Sequence, residues 1–247
     1  MKNYKIVVEY LGKNYSGWQI QAGKTTIEGE LTRAVKEISG EDAAVVGSGR
    51  TDAGVRATGQ VANFKIEKDF EPAKLVLALN NHLPEDISVK SAEIVSDDFS
   101  ARFSAKRKTY EYYFYVSPVR SSIFDQFALQ VKKADIEKMK EACKHFVGKH
   151  DFSSFVARNS GKTNFEREVY SAKIESLENG LHKFVICGNG FLYNMVRIIM
   201  GTIILAGEGK IEPSDVSKII EAKDRTKAGK TVSPVGLCLA SVEYSQK

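Results

Sequence analysis

The sequence predicts an α+β protein made of two ferredoxin-like βαββαβ halves, residues 1–104 and 105–247, with mainly antiparallel sheet and a cleft between the halves. Three observations point there. Short β-prone runs alternate with segments of helical period in the order β-α-β-β-α-β over the first half. The second half repeats that order with one additional short helix. Asn179-Gly180 separates two strand-like runs, the two-residue turn chemistry of an antiparallel hairpin. Side-chain similarity between the halves is faint (YKIVVEY against HKFVICG), so their kinship rests on element order.

Residues 5–10, KIVVEY, form the first predicted strand. Ile27, Leu31, Val35 and Ile38 recur at helical spacing; a capping box from Thr25 to Glu28 opens that helix and Gly40 stops it. Strands are expected at 43–46 and 60–66, a helix from Pro72 to a point before Pro84, and a strand at 87–95. In the second half TYEYYFYV, at 109–116, is aromatic and strongly strand-prone. A helix covers 134–146, with Ile136, Met139 and Cys143 on one face, and the hairpin strands run over 168–177 and 182–187. An apolar helix near 192–205, a short amphipathic helix after Pro213 and a strand at 237–244 complete the chain.

Composition narrows the function classes. With 43% hydrophobic and 27% charged residues, the 247-residue chain is an ordinary globular one, able to bury a sizeable core. Its net charge of +5 is compatible with a polyanionic partner. The three cysteines, Cys143, Cys187 and Cys238, are scattered and form no C-x-x-C pair, which fits reduced thiols in a reducing compartment. The N-terminal run turns charged again by Glu9, unlike a signal peptide, and the most apolar stretch, 191–206, is shorter than a bilayer span and contains Arg197. A cytoplasmic location without membrane association is the expectation.

Several familiar signals fail. The G-K-T triplets at Gly23, Gly161 and Gly229 lack the upstream glycine of a phosphate loop, and GNGFLY at 188–193 lacks the third glycine of a dinucleotide fingerprint. His82, His145, His150 and His182 show no metal-ligand spacing with one another or with the cysteines, and Ser48, Ser160 and Ser171 sit in no nucleophile elbow. No cofactor and no metal are expected.

Three features remain. VVGSGRTDAGVRATGQ, at 45–60, sets Arg50, Thr51 and Asp52 on a backbone carrying four glycines. Glycine loses much backbone entropy on folding, so this density calls for tight turns or close approach to another backbone or a ligand. By itself, Asp52 reads as a turn-capping aspartate. FLYNMVRIIMGTIILA, at 191–206, is apolar all round, so it predicts a buried helix on which Arg197 is the one charge. A buried guanidinium needs a carboxylate or an anionic ligand unless it snorkels to the surface, and Asp52 is the most suggestive carboxylate in the first half. Finally, FSARFSAKRK at 99–108 interleaves aromatic and basic residues just before the tyrosine-rich strand, a pattern suited to phosphate contact and base stacking.

GRTDAGV followed by GQVANF, FSARFSAKRKTYEY, GKHDFSSF, FLYNMVRIIMGTIILAGEGK and SPVGLCLASVEY occur in one order, and together the chain resembles the tRNA pseudouridine synthase A family over nearly its whole length. The resemblance implies isomerisation of uridine to pseudouridine at positions 38, 39 and 40 of the tRNA anticodon arm by a cofactor-free homodimer. It implies that Asp52 is the catalytic residue, that Arg50 holds the base flipped out, that Tyr110 packs against the target base with Leu192 also in the substrate site, and that Arg197 pairs with Asp52. It implies tRNA contact through Phe99, Ser100, Ala101, Arg102 and Phe103, and through Ser160, Gly161, Lys162, Thr163 and Asn164. Arg56 stands where the family pattern has a histidine, and Lys108 where an arginine usually precedes T-Y, keeping the charge but not the bidentate fork. The alternative is a non-catalytic RNA-binding protein, which needs the same basic and aromatic strip but gives no reason for an Arg197–Asp52 pair.

Overall fold

A computed structural model of the protein describes residues 1–157 and 163–245. The chain divides into two compact units, Met1–Lys106 with Cys238–Lys247, and Arg107–Leu237. In the first, β1 (Lys2–Tyr10), α1 (Ile27–Ser39), β2 (Val46–Gly47), β3 (Arg56–Ile66), α2 (Pro72–His82) and β4 (Ile87–Val95) follow the expected order. β3 and β4 flank β1, each antiparallel to it, and β2 pairs antiparallel with β3. That is the split βαβ arrangement. Period-two alternation along β1 buries Tyr4, Ile6, Val8 and Tyr10 and leaves Lys5, Val7 and Glu9 half-buried on the opposite face. α1 adds Ile27, Leu31, Ala34, Val35 and Ile38 to the core, and α2 adds Leu75 and Leu79.

Two details differ from the sequence reading. Thr26, not Thr25, caps α1: its hydroxyl accepts from the Gly29 N–H at 3.3 Å, while Glu28 takes the Ile20 N–H at 2.8 Å. The carbonyls of Gly17 and Trp18 already take the N–H groups of Ile27 and Glu28, so the entering chain does the work of the predicted box. β10 (Leu237–Tyr244) belongs with the first unit, where Cys238 and Leu239 lie parallel to Arg56 and Ala57 of β3. The sequence reading placed this strand in the second half. Alternation identifies a strand, but it carries no information about where a chain end returns.

The second unit contains β5 (Ala105–Val116), β6 (Leu129–Val131), α3 (Ile136–Lys144), β7 (Gly148–Asp151), β8 (Glu166–Ser176), β9 (Leu181–Gly188), α4 (Met195–Gly207) and α5 (Asp215–Ala222). β9 runs antiparallel to β5 and β8, β7 antiparallel to β8, and β6 parallel to β5. Asn179 and Gly180 are both left-handed, at φ 59° and 75°, as the predicted hairpin turn requires. β6 and β7 escape a sequence reading because runs of 3 and 4 residues show no period. Among the described residues no helix is long and apolar enough to cross a membrane.

α4 is buried nearly all round, as its composition demands. It packs against α3 and the segment 229–232. A Cβ on Gly201 would lie 2.0 Å from the Lys230 carbonyl oxygen, so the two backbones touch at that point. The buried Thr202 hydroxyl completes the seam, accepting from the Gly229 N–H at 2.9 Å and donating to the Ile198 carbonyl at 3.0 Å. Gly201→Ala therefore forces these backbones apart and is expected to cost ~1–3 kcal/mol. Urea denaturation should show a lower midpoint with an unchanged slope. An unaltered midpoint would mean that the seam does not hold.

Candidate active site and RNA-contacting surfaces

The Asp52 segment is short and is anchored by several backbone hydrogen bonds. The Trp18 N–H donates to the Thr51 carbonyl at 3.0 Å, and the Gly54 N–H to the Gly12 carbonyl at 3.2 Å. Val55 N–H closes a turn onto the Asp52 carbonyl at 3.1 Å, with Gly54 left-handed at φ 80°, a conformation that excludes a β-branched or bulky residue there. Beneath the turn lies a buried polar relay. Ser48 Oγ donates to Gln60 Oε1 at 2.6 Å, Gln60 Nε2 donates to the Gly49 carbonyl at 3.0 Å, and the Tyr10 hydroxyl meets Thr51 Oγ1 at 2.8 Å. Burial pushes the Tyr10 phenol well above its ordinary range, so it stays a neutral hydroxyl. The result presents Asp52 half-buried and Arg50 exposed on a backbone that has little freedom to move.

In the second unit Arg197 sits in the first turn of α4, half-buried rather than fully so. Its Nε donates to the Val232 carbonyl at 2.8 Å, and Nη1 to Asn194 Oδ1 at 2.6 Å. Asn194 itself is left-handed at φ 60°, which ends the 191–194 turn and starts the helix. The neighbouring Tyr112 hydroxyl donates to the Ser233 carbonyl at 2.6 Å; burial pushes its phenol up, with the Arg197 charge working against that. Tyr110 is 9% exposed on β5, and its ring meets Phe191 edge-on at 5.2 Å, with ring planes at 87°. Leu192, the next residue, is buried. The second unit thus gathers an aromatic ring, an apolar residue and an oriented guanidinium around the entry to one helix.

The predicted RNA-contacting stretches are placed as follows. Ala101 is buried, Phe99 and Ser100 are half-buried, and Arg102 and Phe103 project, with Phe103 81% exposed and the Arg102 guanidinium 5.3 Å from its ring. Thr163 and Asn164 are exposed, and Asn164 Oδ1 accepts from the Glu166 N–H at 2.9 Å. Ser160, Gly161 and Lys162 lie outside the described residues. Tyr170, which the sequence reading passed over, is 37% exposed with the Arg107 guanidinium 4.9 Å from its ring centre. It occupies the β-bulge between Val169 and Ser171, where a strand re-aims a side chain. Its signal, a lone tyrosine in EREVYSAKIES, is too weak to find by eye.

A family model for tRNA pseudouridine synthase matches residues 6–104 and 142–245, covering both the Asp52 turn and the Arg197 helix. The chain belongs to that family. The tRNA pseudouridine synthase A of Caldicellulosiruptor saccharolyticus is 47% identical over 245 residues, 99% of this chain and 100% of the relative. The proteins of that name from Caldicellulosiruptor bescii and Clostridium acetobutylicum are 46% and 44% identical over the same shares. Within this tRNA pseudouridine synthase framework, the departures fall at defined places. Arg56 opens β3 opposite Cys238, and Lys108 on β5 lies opposite Gly188.

Tyr10 and Gln60 were also missed as contributors to the site. Gln60 was legible as a polar residue inside an apolar strand, though nothing in sequence says which loop it serves. Gln60→Leu keeps the side-chain bulk but removes the amide that pairs with the buried Ser48 hydroxyl and the Gly49 carbonyl. The expected loss is ~1–3 kcal/mol of unfolding free energy. Hydrogen exchange should show added protection loss confined to residues near 48–52, and uniform loss across the chain would contradict a local anchoring role.

Proposed function

We propose that this chain isomerises uridine to pseudouridine at positions 38, 39 and 40 of the tRNA anticodon arm, with Asp52 as the catalytic carboxylate. The observation that carries the reading is a half-buried carboxylate on a turn anchored through the Thr51 carbonyl and the Gly54 and Val55 N–H groups, in a chain that matches the tRNA pseudouridine synthase family across that turn. The reaction breaks the bond from ribose C1′ to N1 and makes one from C1′ to C5 of the same base. N1 gains a proton and C5 loses one to solvent, so atoms balance with no redox or energy input. The base has to leave the stack before either bond can be reached.

In this reading Asp52 acts at the uridine as nucleophile or base. Arg197 pairs with it and orients it. Tyr110 stacks on the uracil, Leu192 lines its apolar side, and Arg50 holds the flipped nucleotide out. Remote binding to the RNA supplies the energy for flipping, through the 99–103 and 160–164 stretches and through phosphate contacts from Arg102, Lys106, Arg107 and Lys162. The homodimeric state follows from the family resemblance, and the cytoplasmic location from the reduced-thiol chemistry of the sequence.

Release of tritium from C5 of uridine in tRNA, by the protein alone in buffer containing a chelator, tests the reading directly. Release is expected from tRNA with uridine at positions 38 to 40, and its persistence after replacing those uridines would refute the assigned positions. Asp52→Asn should abolish release while leaving tRNA affinity nearly unchanged; residual turnover within about tenfold of the parent, ~1.4 kcal/mol of barrier, would remove Asp52 from the central role. Arg197→Met should lower kcat on the order of 100-fold, because a mispositioned carboxylate loses most of its advantage. Binding should also weaken steeply as salt rises, in proportion to the phosphate contacts made, and a flat salt response would argue against them.

A further inference from the structure

The outer face of the first unit's sheet carries two buried asparagines that the chemistry above does not use. Asn3 on β1 and Asn63 on β3 are 0% and 6% exposed, and a primary amide buried in a sheet is costly unless both its ends are paired. Here both ends are paired, and all but one of the partners lie in the segment leading to Phe103. Asn63 Nδ2 donates to Asn3 Oδ1 at 2.9 Å, and Asn3 Nδ2 donates to the carbonyls of Ser96 and Phe99 at 2.9 and 3.1 Å. Asn63 Oδ1 accepts the Ala101 N–H at 2.8 Å. From β10, the Tyr244 hydroxyl donates to the Ala101 carbonyl at 2.8 Å, and its ring packs on Phe99 at 5.0 Å. Burial pushes the Tyr244 phenol up, so the hydroxyl remains a donor. Both polar backbone groups of Ala101 are therefore held by side chains from two strands.

Immediately after this pin the chain turns. The Ser104 N–H donates to the Ser100 carbonyl at 2.9 Å, closing a five-residue turn whose outward residues are Arg102 and Phe103. Phe103 is 81% exposed with the Arg102 guanidinium 5.3 Å from its ring. A ring and a planar cation presented together suit a nucleobase and its phosphate. An exposed tip gains affinity only if it is rigid before binding, since ordering it on contact uses part of the binding energy.

We propose that Asn3, Asn63 and Tyr244 are positioning residues that hold the Arg102–Phe103 tip in place to meet tRNA. The proposal rests on the tRNA reading given above. Its test measures KM and kcat for tRNA isomerisation, with the thermal midpoint, in Phe103→Ala, Asn63→Ala, Tyr244→Phe and the two combinations with Phe103→Ala. Phe103→Ala should raise KM for tRNA at least about fivefold. Asn63→Ala and Tyr244→Phe should raise KM while kcat at saturating tRNA stays near the parent value. In either background Phe103→Ala should then add clearly less than it does alone. Independent, multiplying effects would overturn the proposal, as would a parental KM in both anchor variants. Tyr244→Phe removes a single oxygen, so it carries the test if Asn63→Ala does not fold. A parental KM in Phe103→Ala, with turnover intact, would refute the tip as a contact and the anchors with it. No turnover of tRNA by the parent protein would instead refute the isomerase reading.

Discussion

Gln60 lies at the centre of β3 with no access to water, and a buried primary amide has to find partners for both ends. Its Oε1 accepts from the Ser48 hydroxyl and the Val61 N–H, and its Nε2 donates to the Gly49 carbonyl and the Tyr10 hydroxyl. That constraint fixes the entry to the Asp52 turn, and other contacts fix the rest. The chain entering the turn is fixed at 48 and 49, Thr51 is fixed by Trp18 and Tyr10, and the exit is fixed at Gly54 and Val55. A carboxylate intended to act on a substrate has to be held against its tendency to seek water. The backbone bonds at Thr51, Asp52, Gly54 and Val55 help to hold the turn that carries it.

The same device recurs wherever a loop has to keep its shape. Asn63 and Tyr244 grip Ala101, Thr202 grips Gly229, and the buried Ser154 hydroxyl donates to the Ile219 carbonyl at 2.6 Å. At Ala101 and Gly229 a polar side chain on a regular element satisfies the backbone of an irregular one, and at Ile219 a residue of a short 3-10 turn satisfies a carbonyl of α5. Net hydrogen-bond energies are small, but an unpaired buried partner is expensive, so these contacts select one loop conformation more than they add stability. Arg102 and Phe103 project from the tip of one such loop.

α4 shows the complementary case. Its apolar residues are buried by packing alone, and its first-turn arginine is oriented by the Val232 carbonyl and Asn194. Both contacts leave the charge in place while directing the guanidinium. The Val232 carbonyl and Asn194 thus fix the direction of the Arg197 guanidinium. Near the same helix entry, Phe191 meets the Tyr110 ring edge-on.

The sequence by itself determined the element types and most of their order, because period-two and helical alternation report directly on which face is buried. It also singled out Asp52, by glycine density, and Arg197, as the one charge in an apolar helix. Thr26 replaced Thr25 as the helix cap because tertiary contacts from Gly17 and Trp18 decide where the helix begins. β10 joined the first unit, and β6 and β7 appeared unannounced, because partner choice and very short strands leave no periodic trace. Gln60, Asn3, Asn63 and Tyr244 were visible only as polar residues in strands. Which loop each one holds was decided by the tertiary structure alone, because a hydrogen bond depends on positions in space and these partners lie between 11 and 143 residues apart along the chain.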